Sequence, residues 1–105
     1  MAQFDVYKNT GSNTSKRFPF LVDIQSNFLT NLATRIVIPL GIAVVLDRNT
    51  MGKLTPLIKY QEDELLLMTN QIFTIQARLL DDPIGSLSDS RQIILDALDF
   101  AIAGY

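Results

Sequence analysis

The sequence contains no cysteine and no histidine. The absence of cysteine excludes a disulfide framework and a thiolate site, and it fits a cytosolic protein. Because histidine is missing as well, the chain lacks the usual general base and the commonest zinc ligands. It also has no glycine-rich phosphate loop and no GxSxG nucleophile elbow. We therefore expect that the protein is not an enzyme and that it uses neither a metal nor another cofactor.

The chain also has no apolar run long enough to span a membrane. The longest uncharged apolar stretch, Ile36 to Leu46, is well below the roughly 18 residues that a bilayer requires. The N-terminus has no basic region followed by an apolar stretch, so no secretory signal peptide is predicted. Residues 1–105, 48% of them apolar, are expected to form one domain with a sizeable core. We expect a cytoplasmic protein without membrane contact.

Positive charge is not concentrated in a stripe along the chain. The net charge is −2; residues 1–60 carry seven basic and three acidic side chains, and residues 61–105 carry two basic and eight acidic ones. Lys16 and Arg17 form the only adjacent basic pair, and they lie beside a turn-rich segment. Proteins that bind nucleic acid usually carry a basic stripe. We therefore do not expect direct binding to DNA or RNA.

The sequence predicts mostly β-structure: polar and apolar side chains alternate in the first two predicted strands, and the third is a continuous β-branched run typical of a strand with both faces covered. Residues 65–68 also fit the start of a helix, but the β-branched residues that follow favour a strand. At least five strands are predicted, at Gln3–Tyr7, Arg17–Ile24, Arg35–Leu40, Leu54–Tyr60 and Glu64–Ile75. The first two form an antiparallel hairpin around the polar loop 9–15, and residues 41–46 either extend the third strand or begin a new element. Residues 47–52, the acidic turn 61–63 and residues 81–85 connect the later elements. Strands first and a helix last predict an α+β fold, an antiparallel β-barrel or rolled sheet with a helix packed on it.

The helix is predicted at the C-terminal end of the chain. It begins near Leu87 or Ser88, with Ser86 or Ser88 as its N-cap. Its apolar residues follow the i, i+3, i+4, i+7, i+8 spacing of one helix face: Ile94, Ala97, Leu98, Ala101 and Ile102. We expect this face to pack on the sheet.

The end of the helix is apolar and allows two interpretations. Gly104 at the C′ position predicts a Schellman cap in which Tyr105 packs on Phe100. The same end can also be a contact surface for a partner. Asp96 and Asp99 lie near the helix C-terminus, where acidic side chains oppose the macrodipole. They indicate either a solvated face or a face that meets a basic partner, and periodicity alone favours the cap and the solvated face.

Phe28 and Leu29 are large apolar residues within the otherwise polar segment 25–34. Such a pair either plugs the core or forms part of a contact surface. From the sequence we favour the plug.

Several segments match one protein family at the same spacing. They are Gln3-Phe4-x-Val6-Tyr7, Phe20-x-Val22-Asp23-x-Gln25-Ser26, Arg35-x-Val37-Ile38-Pro39-Leu40, Met68-Thr69, and Leu87-Ser88-x-x-Arg91-x-x-Ile94 continuing to Ala97-Leu98-Asp99-Phe100 and Gly104. With these segments the chain resembles the CcdB toxins of plasmid-type and chromosomal toxin–antitoxin modules over nearly its whole length. The resemblance implies an α+β, mainly β fold: an SH3-like, partly open antiparallel β-barrel with a C-terminal α-helix, assembled as a homodimer.

The resemblance also implies partners and a binding surface. CcdB toxins bind the GyrA subunit of DNA gyrase and trap the gyrase–DNA cleavage complex, and a CcdA-type antitoxin neutralises them through a disordered C-terminal arm. The toxin–antitoxin complex represses its own operon, and the antitoxin supplies the DNA contacts. Carried onto the matching positions, the implied gyrase-binding residues are Phe28, Leu29, Asp99, Ile102, Ala103, Gly104 and Tyr105.

One alternative function is an endoribonuclease toxin on the same barrel, as in the related MazF-like family. Such an enzyme needs basic residues along the RNA backbone and a positioned acid–base pair. Arg35, Arg78 and Arg91 are the candidates, and the acidic balance of the chain argues against them.

A second alternative is a decayed toxin that binds antitoxin but not gyrase. The best-known family members end in Trp-Gly-Ile, whereas this chain ends in Ala103-Gly104-Tyr105. Alanine in place of a tryptophan anchor removes most of the contact area at that position. The ring and hydroxyl of Tyr105 can replace part of it.

Overall fold

The computed structural model describes residues 2–29, 31–42, 52 and 54–104. Within these residues the strands are β1 (Asp5–Lys8), β2 (Phe20–Asp23), β3 (Thr34–Ile42), β4 (Leu57–Tyr60), β5 (Asp63–Leu67), β6 (Phe73–Gln76) and β7 (Gly85–Ser86). One α-helix, α1 (Arg91–Ala103), follows them. Short 3₁₀ turns lie at Asn27–Leu29, Thr69–Gln71, Ala77–Leu79 and Ser88–Ser90. None of the described helices is long and apolar enough to cross a membrane.

All strand pairs in the described sheet are antiparallel, and the sheet curls around β3. The strands follow the order β4-β5-β3-β2-β1-β7, and β6 also pairs with β3. β3 is the longest strand, with nine residues, and it has three partners: β2, β5 and β6. A curled half-barrel sheet with a C-terminal helix results. The predicted α+β, mainly β fold is confirmed, and so is the predicted hairpin of the first two strands.

The main core lies between the concave face of the sheet and α1. Alternation along the strands places Val6, Val22 and Ile38 next to one another on this face, where each is fully buried. The helix contributes Ile94 and Ala97, which are 0% and 1% exposed. This packing explains why the first part of the predicted helix stripe is buried. Replacing a core residue such as Ile38 with alanine costs about 2–5 kcal/mol of stability.

The predicted continuous strand Glu64–Ile75 is wrong, because the chain breaks it into β5 and β6. Leu67 pairs with Leu40, and Phe73 pairs with Val37. Six residues therefore cover a distance that three residues cover on β3. The excess is accommodated by the 3₁₀ turn Thr69–Gln71.

The predicted start of the helix is also wrong. α1 begins at Arg91, and the three residues before it form a 3₁₀ turn. Neither predicted N-cap caps it, and Ser90, which occupies the N-cap position, makes no side-chain capping bond. Instead, the Ser86 hydroxyl accepts a hydrogen bond from the Ser88 amide at 3.1 Å. The amide of the buried Leu87 donates to the Phe4 carbonyl at 2.8 Å, and the Leu87 carbonyl accepts from the Ser90 amide at 2.9 Å in the 3₁₀ turn.

The open question about residues 41–46 is answered in part. Gly41 and Ile42 continue β3, where they pair with Leu66 and Leu65. Residues 43–46, and all of the predicted loop 47–52 except Gly52, lie outside the described residues.

Candidate partner-binding surface

The loop after β2 carries its apolar side chains outward. Phe28 is 98% exposed and Leu29 is 45% exposed. The backbone turns at Ser26, whose carbonyl accepts from the Leu29 amide at 2.9 Å and whose hydroxyl accepts from the Phe28 amide at 3.2 Å. The 3₁₀ turn formed in this way points Phe28 away from the core. The predicted core plug is therefore wrong.

Gln25 is the buried residue on which this turn rests. Its side-chain Nε2 donates to the Leu29 carbonyl at 2.8 Å, and its Oε1 accepts from the Ile36 amide of β3 at 3.2 Å. Its own amide donates to Oδ1 of Asp23 at 2.9 Å. Gln25 is 2% exposed; its bond to Asp23 is buried, and its bonds to Leu29 and Ile36 are partly buried. The residue connects the sheet directly to the exposed turn.

Asp23 is held in turn by an ion pair with Arg35. Nε of Arg35 donates to Oδ2 of Asp23 at 2.7 Å, and both side chains are fully buried. Nη1 and Nη2 of Arg35 and the Tyr7 hydroxyl, which are also buried, have no hydrogen-bonding partner among the described residues. Burial raises the pKa of Tyr7 to about 12, and the carboxylates of Asp5 and Asp23 add to the shift. Tyr7 is therefore a neutral phenol at physiological pH.

A second tether joins the turn to the N-terminal segment. Oδ1 of Asn27 accepts from the Gln3 amide at 2.8 Å, and Nε2 of Gln3 donates to the Ile24 carbonyl at 3.1 Å. The next residue, Phe4, is buried in the main core, and its ring lies 5.7 Å from the guanidinium carbon of Arg91 at the start of α1. The N-terminal segment thus contacts both the turn and the beginning of the helix.

The end of α1 is the second exposed apolar element. Ile102 is 82% exposed, and Asp99, Ala103 and Gly104 are exposed as well. The last two members of the predicted packing stripe, Ala101 and Ile102, therefore do not pack on the sheet.

Gly104 caps the helix in the left-handed conformation. Its φ is 79°, and its amide donates to the Phe100 carbonyl at 3.0 Å. This bond from C′ to C3 is that of the αL motif and not the C′-to-C2 bond of the predicted Schellman cap. The predicted position of Gly104 at C′ is confirmed. Tyr105 lies outside the described residues, and its packing on Phe100 stays a prediction.

The two elements of the predicted binding surface, the turn after β2 and the end of α1, are both exposed. Among the large apolar side chains of the described residues, Phe28 and Ile102 are the two most exposed; the next is Leu32 at 52%. Among the residues that the structure describes, no hydrogen bond, ion pair or ring contact joins the turn after β2 to the end of α1.

The three arginines considered for a ribonuclease are separated by their surroundings. Arg35 is fully buried and paired with Asp23, so it cannot follow an RNA backbone. Arg78 and Arg91 are exposed on different elements, the 3₁₀ turn after β6 and the start of α1. Among the residues that the structure describes, no three acidic side chains come together as a metal-binding group. Of the three candidate arginines, Arg78 and Arg91 are accessible to an RNA backbone and Arg35 is not.

The polar residues that support the turn had no assigned role at the level of sequence. Gln3, Asp23, Gln25 and Arg35 belong to segments that carried the family resemblance, but no local signal links them or Asn27 to residues 26–29. One weak signal in the sequence points to the ion pair of Asp23 and Arg35. Asp23 and Arg35 stand at the ends of apolar strands, where a charged residue facing the sheet needs an opposite charge on the neighbouring strand.

A family model described as CcdB protein matches residues 3–104 of the chain. The match covers nearly the whole chain, including the turn after β2 and the end of α1.

Proposed function

The chain belongs to the CcdB family, whose members are toxins of toxin–antitoxin modules, and we propose that it binds the GyrA subunit of DNA gyrase and traps the gyrase–DNA cleavage complex. In this proposal the binding surface consists of two elements. The turn after β2 contributes Phe28 and Leu29, and the end of α1 contributes Asp99, Ile102, Ala103, Gly104 and Tyr105. The protein acts as an inhibitor and catalyses no reaction of its own.

The observation that carries the proposal is the exposure of Phe28 and Ile102, at 98% and 82%. Burying an apolar side chain of this size against a partner contributes roughly 1.5–3 kcal/mol. Exposed apolar side chains with a polar rim are typical of partner sites. Asp99, which is exposed one helical turn before Ala103, supplies a polar group for that rim.

Family membership supports further partners. We propose that the protein forms a homodimer in the cytoplasm and that a CcdA-type antitoxin neutralises it through a disordered arm. Operator DNA then binds through the antitoxin, because the toxin chain carries no basic stripe.

Ala103 sets the expected strength of the interaction. A tryptophan at an interface buries about 150–250 Å², and alanine in its place removes most of that area. We expect Phe28 and Ile102 to provide a larger share of the contact than in members that end in Trp-Gly-Ile. If the contacts of Phe28 and Ile102 do not suffice for binding, the protein is a decayed toxin that binds antitoxin but no longer binds gyrase.

The test is gyrase-mediated DNA cleavage with purified protein. Supercoiled DNA is incubated with gyrase and the protein, and the cleaved DNA is measured after the gyrase is denatured and digested. We expect linear DNA to accumulate at micromolar protein. No cleavage by a folded protein would contradict the proposal, and degradation of RNA in the absence of gyrase would favour the ribonuclease alternative.

A matched pair of variants on α1 controls this experiment. Ile102→Ser changes the exposed helix end, whereas Ile93→Ser changes an isoleucine on the same helix that is 44% exposed and lies outside the proposed surface. We expect Ile102→Ser to lose cleavage and Ile93→Ser to retain it. Equal loss in both variants would indicate a general effect on the helix.

A further inference from the structure

We propose that Gln25 and Asn27 are positioning residues, which hold the turn after β2 in its binding conformation before the partner arrives. The inference rests on the proposed function, because it concerns how Phe28 and Leu29 are presented to gyrase. It assigns a role to two polar side chains that do not themselves belong to the proposed contact surface.

The first argument is the exposure of Phe28. A side chain that is 98% exposed makes almost no contacts of its own, so only the backbone determines where it points. The backbone of a loop of this length is mobile unless hydrogen bonds or packing restrain it. Leu29 is 45% exposed, and no residue of the turn Asn27–Leu29 is buried. The restraint must therefore come from polar contacts.

The second argument is the set of bonds made by Gln25. Oε1 of its side-chain amide accepts from the Ile36 amide of β3 at 3.2 Å. Nε2 of the same group donates to the Leu29 carbonyl at the end of the turn at 2.8 Å. The Leu29 carbonyl also accepts from the Leu32 amide, at a longer 3.3 Å. Gln25 itself is 2% exposed, and these two bonds are partly buried, which reduces the competition from water. Oδ1 of the buried Asp23 accepts from the Gln25 amide at 2.9 Å and so restrains the Gln25 backbone.

The third argument is the independent tether at Asn27. Its Oδ1 accepts from the Gln3 amide at 2.8 Å, which joins the start of the turn to the segment before β1. Gln25 and Asn27 therefore restrain the turn on opposite sides of Phe28. A turn restrained in this way loses little further conformational freedom when a partner binds, and such preorganisation increases affinity.

Gln25→Met tests the proposal, because methionine keeps the length of the side chain and removes both of its hydrogen bonds. Gln76→Met is the matched control, since Gln76 is an exposed glutamine on β6. We expect Gln25→Met to bind the GyrA subunit about tenfold more weakly and to show faster hydrogen exchange at the amides of Phe28 and Leu29. Unchanged exchange at these amides would overturn the proposal.

A double-mutant cycle separates positioning from a general loss of structure. If Gln25 acts through Phe28, Gln25→Met in a Phe28→Ala background changes the affinity for GyrA by less than about twofold. Additive effects of the two changes would overturn the positioning role. Where Gln25→Met does not fold, Asn27→Ala serves instead, because Asn27 is exposed and its loss leaves the core intact; Asn27→Ala with unaltered exchange and affinity would contradict the proposal.

The two proposals fail in different ways. If the unaltered protein does not bind GyrA, the proposed function fails, and the role in binding fails with it. The restraint of the turn by Gln25 is still tested by hydrogen exchange, which requires no partner.

Discussion

Replacing either partner of the buried Asp23–Arg35 pair leaves the other charge inside the protein without a counterion. Loss of one member of a fully buried pair costs about 3–5 kcal/mol. Asp23→Leu also removes the acceptor of the Gln25 amide, so its cost belongs at the upper end of that range. Arg35→Met keeps the aliphatic part of the side chain and removes the guanidinium. Both single variants should lose a large part of the stability of a domain of this size.

The double variant Asp23→Leu with Arg35→Met should be more stable than either single variant. It removes both charges and replaces them with apolar side chains of similar volume, which is often nearly neutral. The double variant should still lose about 1–3 kcal/mol of stability, because the Gln25 amide has lost its acceptor. Urea denaturation followed by circular dichroism gives the free energy of unfolding of all four proteins at one protein concentration. Single variants within about 1 kcal/mol of the parent, or a double variant with strictly additive losses, would refute the buried pair.

Three further changes test other parts of the fold by stability measurements. Gly85→Ala should lower the free energy of unfolding, because an added Cβ overlaps the Tyr60 hydroxyl, and unchanged denaturation would contradict that contact. Gln61→Gly should raise stability by up to about 1 kcal/mol, because Gln61 has φ 55° in the β4–β5 turn; a loss in urea denaturation would speak against this strain. The pKa of Tyr7 rises from 10.0 to about 12 on folding, so stability should fall between pH 10 and 12 as the unfolded chain alone gives up its proton. Tyr7→Phe should remove that part of the pH dependence of urea denaturation, and an unchanged slope would contradict the raised pKa.

Local patterns in the sequence predicted those strands of the sheet whose own residues carry the signal. The segments that became β1 and β2 have apolar residues at every second position, and β3 was predicted from a continuous β-branched run. The burial of pairs such as Val6 and Val22 follows from the pleat. The break between β5 and β6 was not predictable in this way. It depends on how Leu67 and Phe73 are spaced along β3, which is a property of the pairing and not of the segment itself.

In the candidate site, too, a feature set by nearby residues was predictable, and contacts between distant segments were not. The capping role of Gly104 is local and was predicted from the glycine at the helix end. The direction of Phe28 was predicted wrongly, since an apolar pair in a polar loop does not show by itself whether it faces the core or the solvent. The supporting contacts of Gln25 with Ile36 and of Asn27 with Gln3 join distant parts of the chain. They became visible only when the fold brought those parts together.

The most direct test of the account is titration of the GyrA subunit with the unaltered protein and with Phe28→Ser in a calorimeter. Phe73→Ser is the control, because Phe73 is a 41% exposed phenylalanine on β6 that is not one of the residues of the proposed surface. The account predicts saturable binding for the unaltered protein and for Phe73→Ser, and binding weaker by about tenfold or more, but still measurable, for Phe28→Ser with an unchanged melting temperature. Absence of binding by the folded, unaltered protein, or equal binding by Phe28→Ser, would contradict it.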